Sequence, residues 1–431
     1  MTPQQFTAYV LCLLMPLSAG VPLTAPLWDG IHWLYVTPTI EPADVPAFLL
    51  VVLTILEPRY AHFERHRPSF AHLLAALAGL GLLSAAGSRA PQLALYFTLR
   101  WAFAGGVCWA LFEADLKARS LATALLLGLT LQAAIAFGQA IHQGPLGLPG
   151  ELASAPNAFG ASVIKMGDHL WLRGYGLTFH PNVLGGFMVA GMVLALPLLD
   201  RLWVAPALWL MGLALLATFS RSAFIAAAIV LPITAFWLWR LVQRLRRGLI
   251  LTFAAGVCVV AVAGWMWRAP IAARLGATTS LPASATFWGT LLESLQQDNR
   301  LQLDGMALQT LAAHPLLGIG AGNSPMAMQA EGVQPHYPHN VALMLATEVG
   351  IGGALFWLAL PVVAVRRLRN HPAAASLPWL VAGVASLAAL QIIALLDCYP
   401  WSLNSGRMLT ITVLALIEIA SRGVTSTAPL R

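Results

Sequence analysis

One histidine stands where a membrane protein could use it as a base. The segment from His336 to Asn340 reads His-Tyr-Pro-His-Asn, and an apolar run long enough to cross a membrane, 341–365, follows it without interruption. Pro338 favours the start of a helix, so we expect His339 in the first helical turn, where the helix dipole and partial desolvation keep an imidazole neutral. A neutral imidazole can accept a proton near neutral pH. The sequence therefore predicts a general base, His339, at the mouth of a transmembrane helix.

The composition shows which kind of element positions this histidine. Over 431 residues the chain is 58% hydrophobic and 10% charged, with a mean hydropathy of +0.74. Because a bilayer leaves backbone polar groups no partners except those within a helix, we expect an all-α polytopic membrane protein. With about 20 apolar residues to a span, the sequence predicts about twelve spans, at 7–26, 45–57, 70–88, 92–112, 120–141, 179–199, 203–219, 222–239, 249–267, 341–365, 376–396 and 405–421.

The basic residues indicate how the chain is oriented. If the N-terminus is cytoplasmic, 15 of the 24 lysine and arginine residues fall in cytoplasmic connections or in the C-terminal tail, as the positive-inside rule expects. The net charge of +7 then reflects membrane topology, so no nucleic-acid partner is expected. The arginines of residues 240–247 would contact membrane lipids, either as a stop-transfer anchor or as a site for anionic headgroups.

The other nine basic residues fall on the outer side, or inside a span close to it. They are Arg89, Arg100, Lys165, Arg173, Arg221, Arg268, Arg274, Arg300 and Arg407. A charged side chain there is costly unless it forms an ion pair or binds an anion. The guanidinium of arginine suits a diphosphate, because it stays charged and makes paired hydrogen bonds to phosphate oxygens. We therefore expect an anionic ligand on the outer side.

The connections divide the chain into three regions. We expect N-terminal transmembrane helices over 1–141, a catalytic region over 142–365 and C-terminal transmembrane helices over 366–431. Two outer loops of the catalytic region, 142–178 and 268–340, are much longer than the other connections. Long loops in compact proteins usually carry function.

Short amphipathic helices are expected in both long loops. One is predicted over 287–313, where apolar residues recur at three- and four-residue spacing. The glycine-rich residues 318–322 follow it. Because no strand precedes these glycines, they predict a tight re-entrant turn and not a dinucleotide site.

Four segments, in order, resemble the O-antigen ligase and polymerase superfamily over about residues 170–365. The first is Arg173-Gly174-Tyr175-Gly176 with His180-Pro181-Asn182 after it, and the second is Thr218-Phe219-Ser220-Arg221-Ser222. The third is Arg300 with His314-Pro315-Leu316-Leu317-Gly318-Ile319-Gly320, and the fourth runs from Pro338-His339-Asn340 to Gly350. The order and spacing make the resemblance specific, whereas the N-terminal spans match only in number and hydropathy.

The resemblance implies a glycosyltransferase in the bacterial inner membrane, with its active site facing the periplasm. Such enzymes take a glycan from undecaprenyl diphosphate and pass it to an acceptor without a metal ion or other cofactor. Carried over to this sequence, His339 is the essential histidine, and Arg221 and Arg300, with Arg173 as a third, contact the diphosphate. The further polar residues, which could bind substrate or serve as helix caps and loop hydrogen-bonding groups, are His180, Asn182, His336 and Asn340.

Two signatures favour a ligase, which would use the lipid A-core oligosaccharide as acceptor. Residues 221–225 are similar to the Arg-x-x-x-Leu signature of the ligases, with Ile225 in place of leucine. His339, followed by Gly350 and Gly353, resembles their histidine–glycine signature. A polymerase, which would extend the lipid-linked glycan itself, stays the alternative.

A metal-dependent glycosyltransferase is one rival class. It would hold its ion with Asp29, Glu41 and Asp44 in the first outer loop, but these residues lack Asp-x-Asp spacing. A zinc site at His336 and His339 would lack a clear third ligand.

A transporter is the second rival class. About twelve spans would suit one, and so would the acidic residues predicted inside the membrane, Glu348, Asp397 and Glu418. The sequence shows no clear internal repeat and no pair of broken helices, which transporters often have.

Overall fold

The computed structural model describes residues 1–24, 37–57, 70–158, 160–274, 300–330, 336–370 and 376–422. In chain order, these residues form α1 (Pro3–Leu14), β1 (Val21–Pro22), β2 (Thr39–Ile40), α2 (Asp44–Ile55), α3 (Phe70–Ala85), α4 (Pro91–Glu113), α5 (Ala118–His142), β3 (Val163–Met166), β4 (His169–Leu172), α6 (Pro181–Ala195), α7 (Val204–Thr218), α8 (Arg221–Leu241) and α9 (Arg246–Met266). Then follow α10 (Arg268–Arg274), α11 (Arg300–Ala313), α12 (Ser324–Ala330), α13 (Val341–Val349), α14 (Ile351–Arg369), α15 (Leu377–Ala394), α16 (Tyr399–Ser402) and α17 (Asn404–Ser421).

The helices confirm an all-α polytopic membrane protein. Among the described residues, seven helical segments are long and apolar enough to cross a membrane: α4, α5, α6, α8, α9, α14 and α15. Three shorter apolar helices, α2, α3 and α7, lie at further predicted spans. The two remaining predicted spans contain α1 and α17. The helices α13 and α14 share the predicted span 341–365, so each predicted span contains a helix.

The first helix begins earlier and ends much earlier than the predicted span 7–26. Thr2 and Gln5 form a reciprocal capping box, and Pro3 occupies the first helical position, which fixes the start. The helix ends at Leu14, shortly before Pro16. Because proline cannot donate the hydrogen bond that would continue a helix, the apolar residues beyond it do not extend α1.

The centre and the edge of the bundle differ in burial. In α17 the residues from 404 to 420 are all buried, with α3, α4, α5, α6 and α15 packed around the helix. By contrast, α9 packs mainly along α7 and buries only Leu249, Thr252 and Ala263. The exposed faces of α9 are apolar, as expected for a helix surrounded by lipid.

The predicted uninterrupted span 341–365 is broken at Gly350, which has a φ of 75°. The break leaves backbone groups of α13 and α14 without helical partners. The predicted glycine-rich turn supplies the partners: Ile319 N donates to Thr347 O at 3.1 Å, Gly320 N donates to Glu348 O at 2.9 Å, and Ile351 N donates to Pro315 O at 2.9 Å. A Cβ at Gly350 would collide with the Leu316 carbonyl. The turn therefore holds the break in place.

The two long loops have different structures. The first contains the β3–β4 hairpin and, over its described residues, none of the amphipathic helix that was expected. Gly167 and Asp168 connect the strands, and Gly167 adopts a φ of 60°, which a tight two-residue hairpin turn needs. The second loop contains α10, α11 and α12. The helix predicted over 287–313 is seen as α11 from Arg300 onward, and its earlier part lies outside the described residues.

Candidate functional site

The sequence predicted His339 in the first turn of its helix. In the structure His339 lies just before α13. Asn340 is the N-cap, because its Oδ1 accepts a hydrogen bond from Leu343 N at 3.0 Å. The predicted capping role of Asn340 is thus confirmed. The backbone N–H of His339 donates to Asp304 Oδ1 of α11 at 2.9 Å. The position of His339 is therefore set by a cap on one side and by α11 on the other.

Asp397 lies beside the imidazole. Its Oδ1 is 3.9 Å from His339 Nδ1, and its Oδ2 accepts a hydrogen bond from Asn182 Nδ2 at 2.8 Å. The sequence had placed Asp397 inside the membrane, but it lies in the connection between α15 and α16, at the end of the bundle that the basic residues predict to face outward and that is here called the outer end. It is 5% exposed. A buried carboxylate in this position can orient the ring and stabilise its protonated form.

Arg173 completes a chain of polar groups. Its Nη2 donates to Asn182 Oδ1 at 2.6 Å, its Nη1 to Ser162 Oγ at 2.8 Å and its Nε to Thr218 O at 2.6 Å. The amide of Asn182 thus links the Arg173 guanidinium to Asp397. All three acceptors of Arg173 are neutral, so its positive charge is not cancelled by a directly bound carboxylate.

The start of α6 explains why Asn182 faces this way. His180 is the N-cap, and its Nδ1 accepts a hydrogen bond from Asn182 N at 3.1 Å. Burial lowers the pKa of His180 well below its usual value, and the charge of Arg173 lowers it further. A neutral His180 keeps an acceptor at Nδ1, which the cap requires. His180 is thus an N-cap, whereas the sequence left a substrate contact or a hydrogen-bonding loop residue open for it.

Two further arginines lie close to Arg173. Arg300 Nη1 donates to Leu396 O at 2.8 Å, directly beside Asp397, and Arg274 Nε donates to Phe219 O at 3.4 Å. Burial lowers the pKa of Arg173 to about 9, and the charges of Arg274 and Arg300 lower it further. The guanidinium stays protonated at neutral pH. Three arginine side chains therefore act on one small volume at the outer end of the bundle.

Arg221 is the first residue of α8, two residues after Phe219. Its side chain is partly buried at the same outer end of the bundle. The sequence-predicted arginines Arg173, Arg221 and Arg300, although far apart in the chain, all reach this end.

His336 packs against the candidate base. Its ring stacks on that of His339, with 4.7 Å between centroids and 30° between planes. Burial lowers the pKa of His336, so a neutral ring is favoured. The stack restricts rotation of the His339 ring.

Three possible metal ligands lie close together among the described residues. Ligand atoms of His339, Asp397 and Cys398 lie within 4.8 Å of one another, so the third ligand that the sequence did not reveal exists in space. Burial, with Asp397 adding to it, raises the pKa of the Cys398 thiol far above its usual value. A metal ion would therefore have to displace the thiol proton before Cys398 could serve as a ligand.

Three site residues were not selected from the sequence: Asp397, Arg274 and Asp304. Arg274 belonged to the group of outer arginines, and that position was its only signal. Asp304 follows Arg300 by one helical turn, a common spacing for helical ion pairs. Asp397 follows a predicted span directly, so it could have been placed at the membrane surface.

An apolar cavity of about 390 Å³ lies between α5, α7 and α9. It is lined by the outer ends of α5 and α9, including Phe137, Ile141, Met266 and Trp267. The Trp267 ring lies 6.3 Å from that of Phe219, whose carbonyl accepts the hydrogen bond from Arg274. A lipid-facing groove thus ends at the cationic group.

A comparison with known families matches one segment of the chain. Residues 206–358 match the family described as O-antigen ligase. No curated protein matches the chain. The matched segment contains Arg221, Arg300, His336, His339 and Asn340, while Arg173, Asn182 and Asp397 lie outside it. The match over residues 206–358 supports the resemblance of this chain to the O-antigen ligase and polymerase superfamily.

Proposed function

We propose that the protein is an O-antigen ligase. It transfers a glycan from undecaprenyl diphosphate to the lipid A-core oligosaccharide at the periplasmic face of the bacterial inner membrane, without a metal ion and with inversion at the anomeric carbon. One observation carries this proposal: His339 and Asp397 lie at one end of a hydrogen-bonded chain, and Arg173, with Arg274 and Arg300 nearby, lies at the other. The site thus combines a candidate base with an anion-binding group.

The reaction needs one proton transfer. His339 accepts the proton of the acceptor hydroxyl through Nε2, since Nδ1 faces Asp397. The hydroxyl oxygen then forms a bond to the anomeric carbon while the bond from that carbon to the diphosphate oxygen breaks. The imidazolium that forms is stabilised by Asp397, and attack from the face opposite the diphosphate inverts the anomeric centre.

The arginines stabilise the leaving group. Charge develops on the diphosphate as its bond to the sugar breaks, and positive groups held in place before the reaction stabilise this charge without reorganising. Arg173 is held by a carbonyl, a hydroxyl and an amide, and Arg274 and Arg300 each donate to a backbone carbonyl. In this proposal Arg221, the first residue of α8, is a fourth contact to the diphosphate.

The apolar groove beside α9 supports a lipid-linked donor. It ends at Trp267, which is joined through Phe219 to Arg274, so a polyprenyl chain in the groove would present its diphosphate to the arginines.

The base is tested by His339→Ala in purified protein supplied with donor and lipid A-core acceptor. Transfer should fall by about 10²–10⁴-fold, while folding and donor binding persist. His169→Ala is the matched control, because His169 is exposed on β4 of the first outer loop. Wild-type turnover by folded His339→Ala protein would remove His339 as the base. Full activity in EDTA is expected.

Polymerase activity is the second candidate, because Ile225 departs from the ligase signature. The two activities differ in the acceptor. Incubation with donor alone should leave the lipid-linked glycan unchanged, whereas addition of lipid A-core should give a glycosylated product. Longer lipid-linked glycans made from donor alone would show a polymerase.

The orientation is tested by labelling single cysteines in a protein that lacks the native ones. Ala155 and Gln302 are exposed in the two outer loops, and Gln243 is exposed at the opposite end between α8 and α9. Cysteines at Ala155 and Gln302 should react with an impermeant maleimide in intact spheroplasts, and a cysteine at Gln243 only after lysis. Labelling of Ala155 and Gln302 from opposite sides would contradict a shared site.

A further inference from the structure

A separate polar cavity of about 460 Å³ lies at the outer end of the bundle, between α11, α12 and the turn that joins α3 to α4. Its polar lining includes Arg89, Gln309, Thr310, His314 and Asn323. None of these residues takes part in the candidate catalytic site. The volume is within the range of small-molecule sites, which are about 300–1,000 Å³.

The cavity lies on the far side of α11 from the candidate base. Successive residues of an α-helix are about 100° apart around its axis, so Gln309 and Thr310 face roughly away from Asp304, which holds His339. The arginines of the candidate site lie towards α6, α7 and α10, whereas the cavity lies towards α3 and α4. The cavity is therefore separate from the group of arginines and lies on a different side of α11.

Arg89 gives the cavity its charge. It is exposed at the outer turn after α3, and no carboxylate of the described residues forms an ion pair with it. His314, across the cavity, adds a second group that can donate to an anion. An arginine without a carboxylate partner on the outer side suits a phosphate or carboxylate.

The amide and hydroxyl groups suit a sugar. Gln309 and Thr310 offer donors and acceptors on one wall. On the other wall, Asn323 is 3% exposed, and its Nδ2 donates to Ala321 O at 3.1 Å. Its Oδ1 accepts no hydrogen bond from the described residues, which leaves a buried acceptor at the wall. Methionines 306, 326 and 328 provide an adaptable apolar surface between these polar groups.

The wall that carries Asn323 is fixed by close backbone packing. A Cβ at Gly320 would collide with Ser88, and a Cβ at Gly322 would collide with Phe97. Both glycines have positive φ values, 105° and 72°. The glycine turn is thus pressed against the α3–α4 connection, so the cavity is preformed.

We propose that this cavity binds an anionic sugar of the acceptor oligosaccharide, at a distance from the hydroxyl that reacts at His339. The inference rests on the proposed ligase function. The donor diphosphate occupies the arginine side of His339, and the acceptor reaches the base from the cavity side. Arg89 contacts the phosphate or carboxylate of the sugar, and the cavity selects acceptors that carry such a group.

The test uses full-length protein in nanodiscs with lipid-linked donor and lipid A-core acceptor. Arg89→Gln should raise the KM for acceptor by about tenfold, as expected for one charged hydrogen-bonding contact, while kcat and the KM for donor stay near wild type. Gln309→Ala should raise the acceptor KM by a smaller factor. Arg268→Gln is the matched control, because Arg268 is also exposed on the outer side but stacks on Trp265, away from the cavity.

Removal of the phosphate groups from the acceptor separates charge recognition from folding defects. Wild type should use the dephosphorylated acceptor as poorly as Arg89→Gln uses the intact one, and Arg89→Gln should not distinguish the two acceptors. An unchanged acceptor KM in Arg89→Gln overturns the proposal. A raised KM for donor alone also overturns it, since the cavity would then hold the donor glycan.

Binding without turnover separates this inference from the ligase function. The phosphorylated core oligosaccharide, freed from lipid A, should bind wild type more tightly than Arg89→Gln in a titration without donor. Equal affinities would overturn the proposal that the cavity binds the acceptor, even if wild type transfers glycan. Failure of wild type to transfer glycan to lipid A-core would instead overturn the ligase function, whichever result the titration gives.

Discussion

Two buried arginine–aspartate sets lie at the outer end of the bundle and differ in how the charges meet. In the first, Arg100 Nη1 contacts Asp44 Oδ1 directly at 2.9 Å. In the second, the amide of Asn182 stands between Arg173 and Asp397, with hydrogen bonds of 2.6 Å and 2.8 Å. A direct pair cancels both charges, whereas an interposed amide orients both groups and leaves each charge able to act on something else.

The direct pair has a structural role. Asp44 begins α2, Arg100 lies in α4, and Asn404 of α17 donates to the same aspartate oxygen at 3.1 Å. The pair therefore ties three helices together in a region where an unpaired charge would be costly.

The second set, in which the Asn182 amide stands between Arg173 and Asp397, is suited to a reaction; it is called the relayed set. Asp397 remains beside His339, and Arg173 remains beside Arg274 and Arg300. A cluster of guanidinium groups held near one another is an arrangement that suits a diphosphate. The difference indicates that buried charges at this end of the membrane are either paired for stability or kept apart for substrate.

Exchange of each aspartate for asparagine tests this division with the largest expected effect. Asp397→Asn removes the charge that stabilises the His339 imidazolium, so we expect kcat to fall by about 100-fold or more with little change in the melting temperature. Asp44→Asn leaves Arg100 buried without its partner and should cost about 3 kcal/mol of stability or more. Initial rates and thermal unfolding in detergent measure both variants. A loss of kcat from Asp44→Asn at full stability would reverse the assignment.

Exchange of arginine for lysine has a smaller effect and separates the two sets again. Lysine keeps the charge but not the planar fork. Arg300→Lys and Arg221→Lys should therefore each weaken donor binding by about tenfold, since a charged hydrogen bond contributes about 1.5 kcal/mol or more. Arg100→Lys should leave donor affinity unchanged and lower the melting temperature. Titration with undecaprenyl diphosphate measures the affinities. Equal affinities in all three variants would contradict the proposal that Arg221 and Arg300 contact the diphosphate.

The sequence predicts the fold where the signal is local. Apolar runs located the helices, and Asn340 was recognised as a possible cap because capping depends on neighbouring residues. The break at Gly350 was not predicted because residues 341–365 are apolar enough for a single span, although Gly350, Gly352 and Gly353 are poor helix formers. Its backbone partners, from Pro315 to Gly320, lie in a different part of the chain.

The candidate site shows the same limit. His339 and the arginines were found because their residue types are unusual at their positions. The role of Asp397 depends on the connection after α15 folding back to the start of α6, where Asn182 receives it. No local pattern encodes that approach. A long-range contact between two polar loops is visible only in the folded chain.

Acidification should change the stability contributions of one group beside each set, His180 and Glu41, in opposite directions. This is the smallest of the three expected effects. Burial holds the pKa of His180 below the usual 6.5, so the folded protein binds fewer protons at this group, and its contribution to stability is lost as the pH falls below about 6.5. Glu41, near the direct pair, has its pKa raised from 4.5 to about 7 by burial and by Asp44. Its contribution is present at low pH and is lost as the pH rises through about 7.

Two variants separate these contributions. His180→Asn keeps a good helix cap without a titrating ring, and Glu41→Gln removes the titrating carboxyl. Relative to wild type, His180→Asn should gain stability at pH 5.5, and Glu41→Gln should gain stability at pH 8, each by on the order of 2 °C in melting temperature. Thermal unfolding of the three proteins at both pH values measures this. If both variants gained stability at the same pH, the two sets would share one protonation response, and the distinction between a paired and a relayed set would fail.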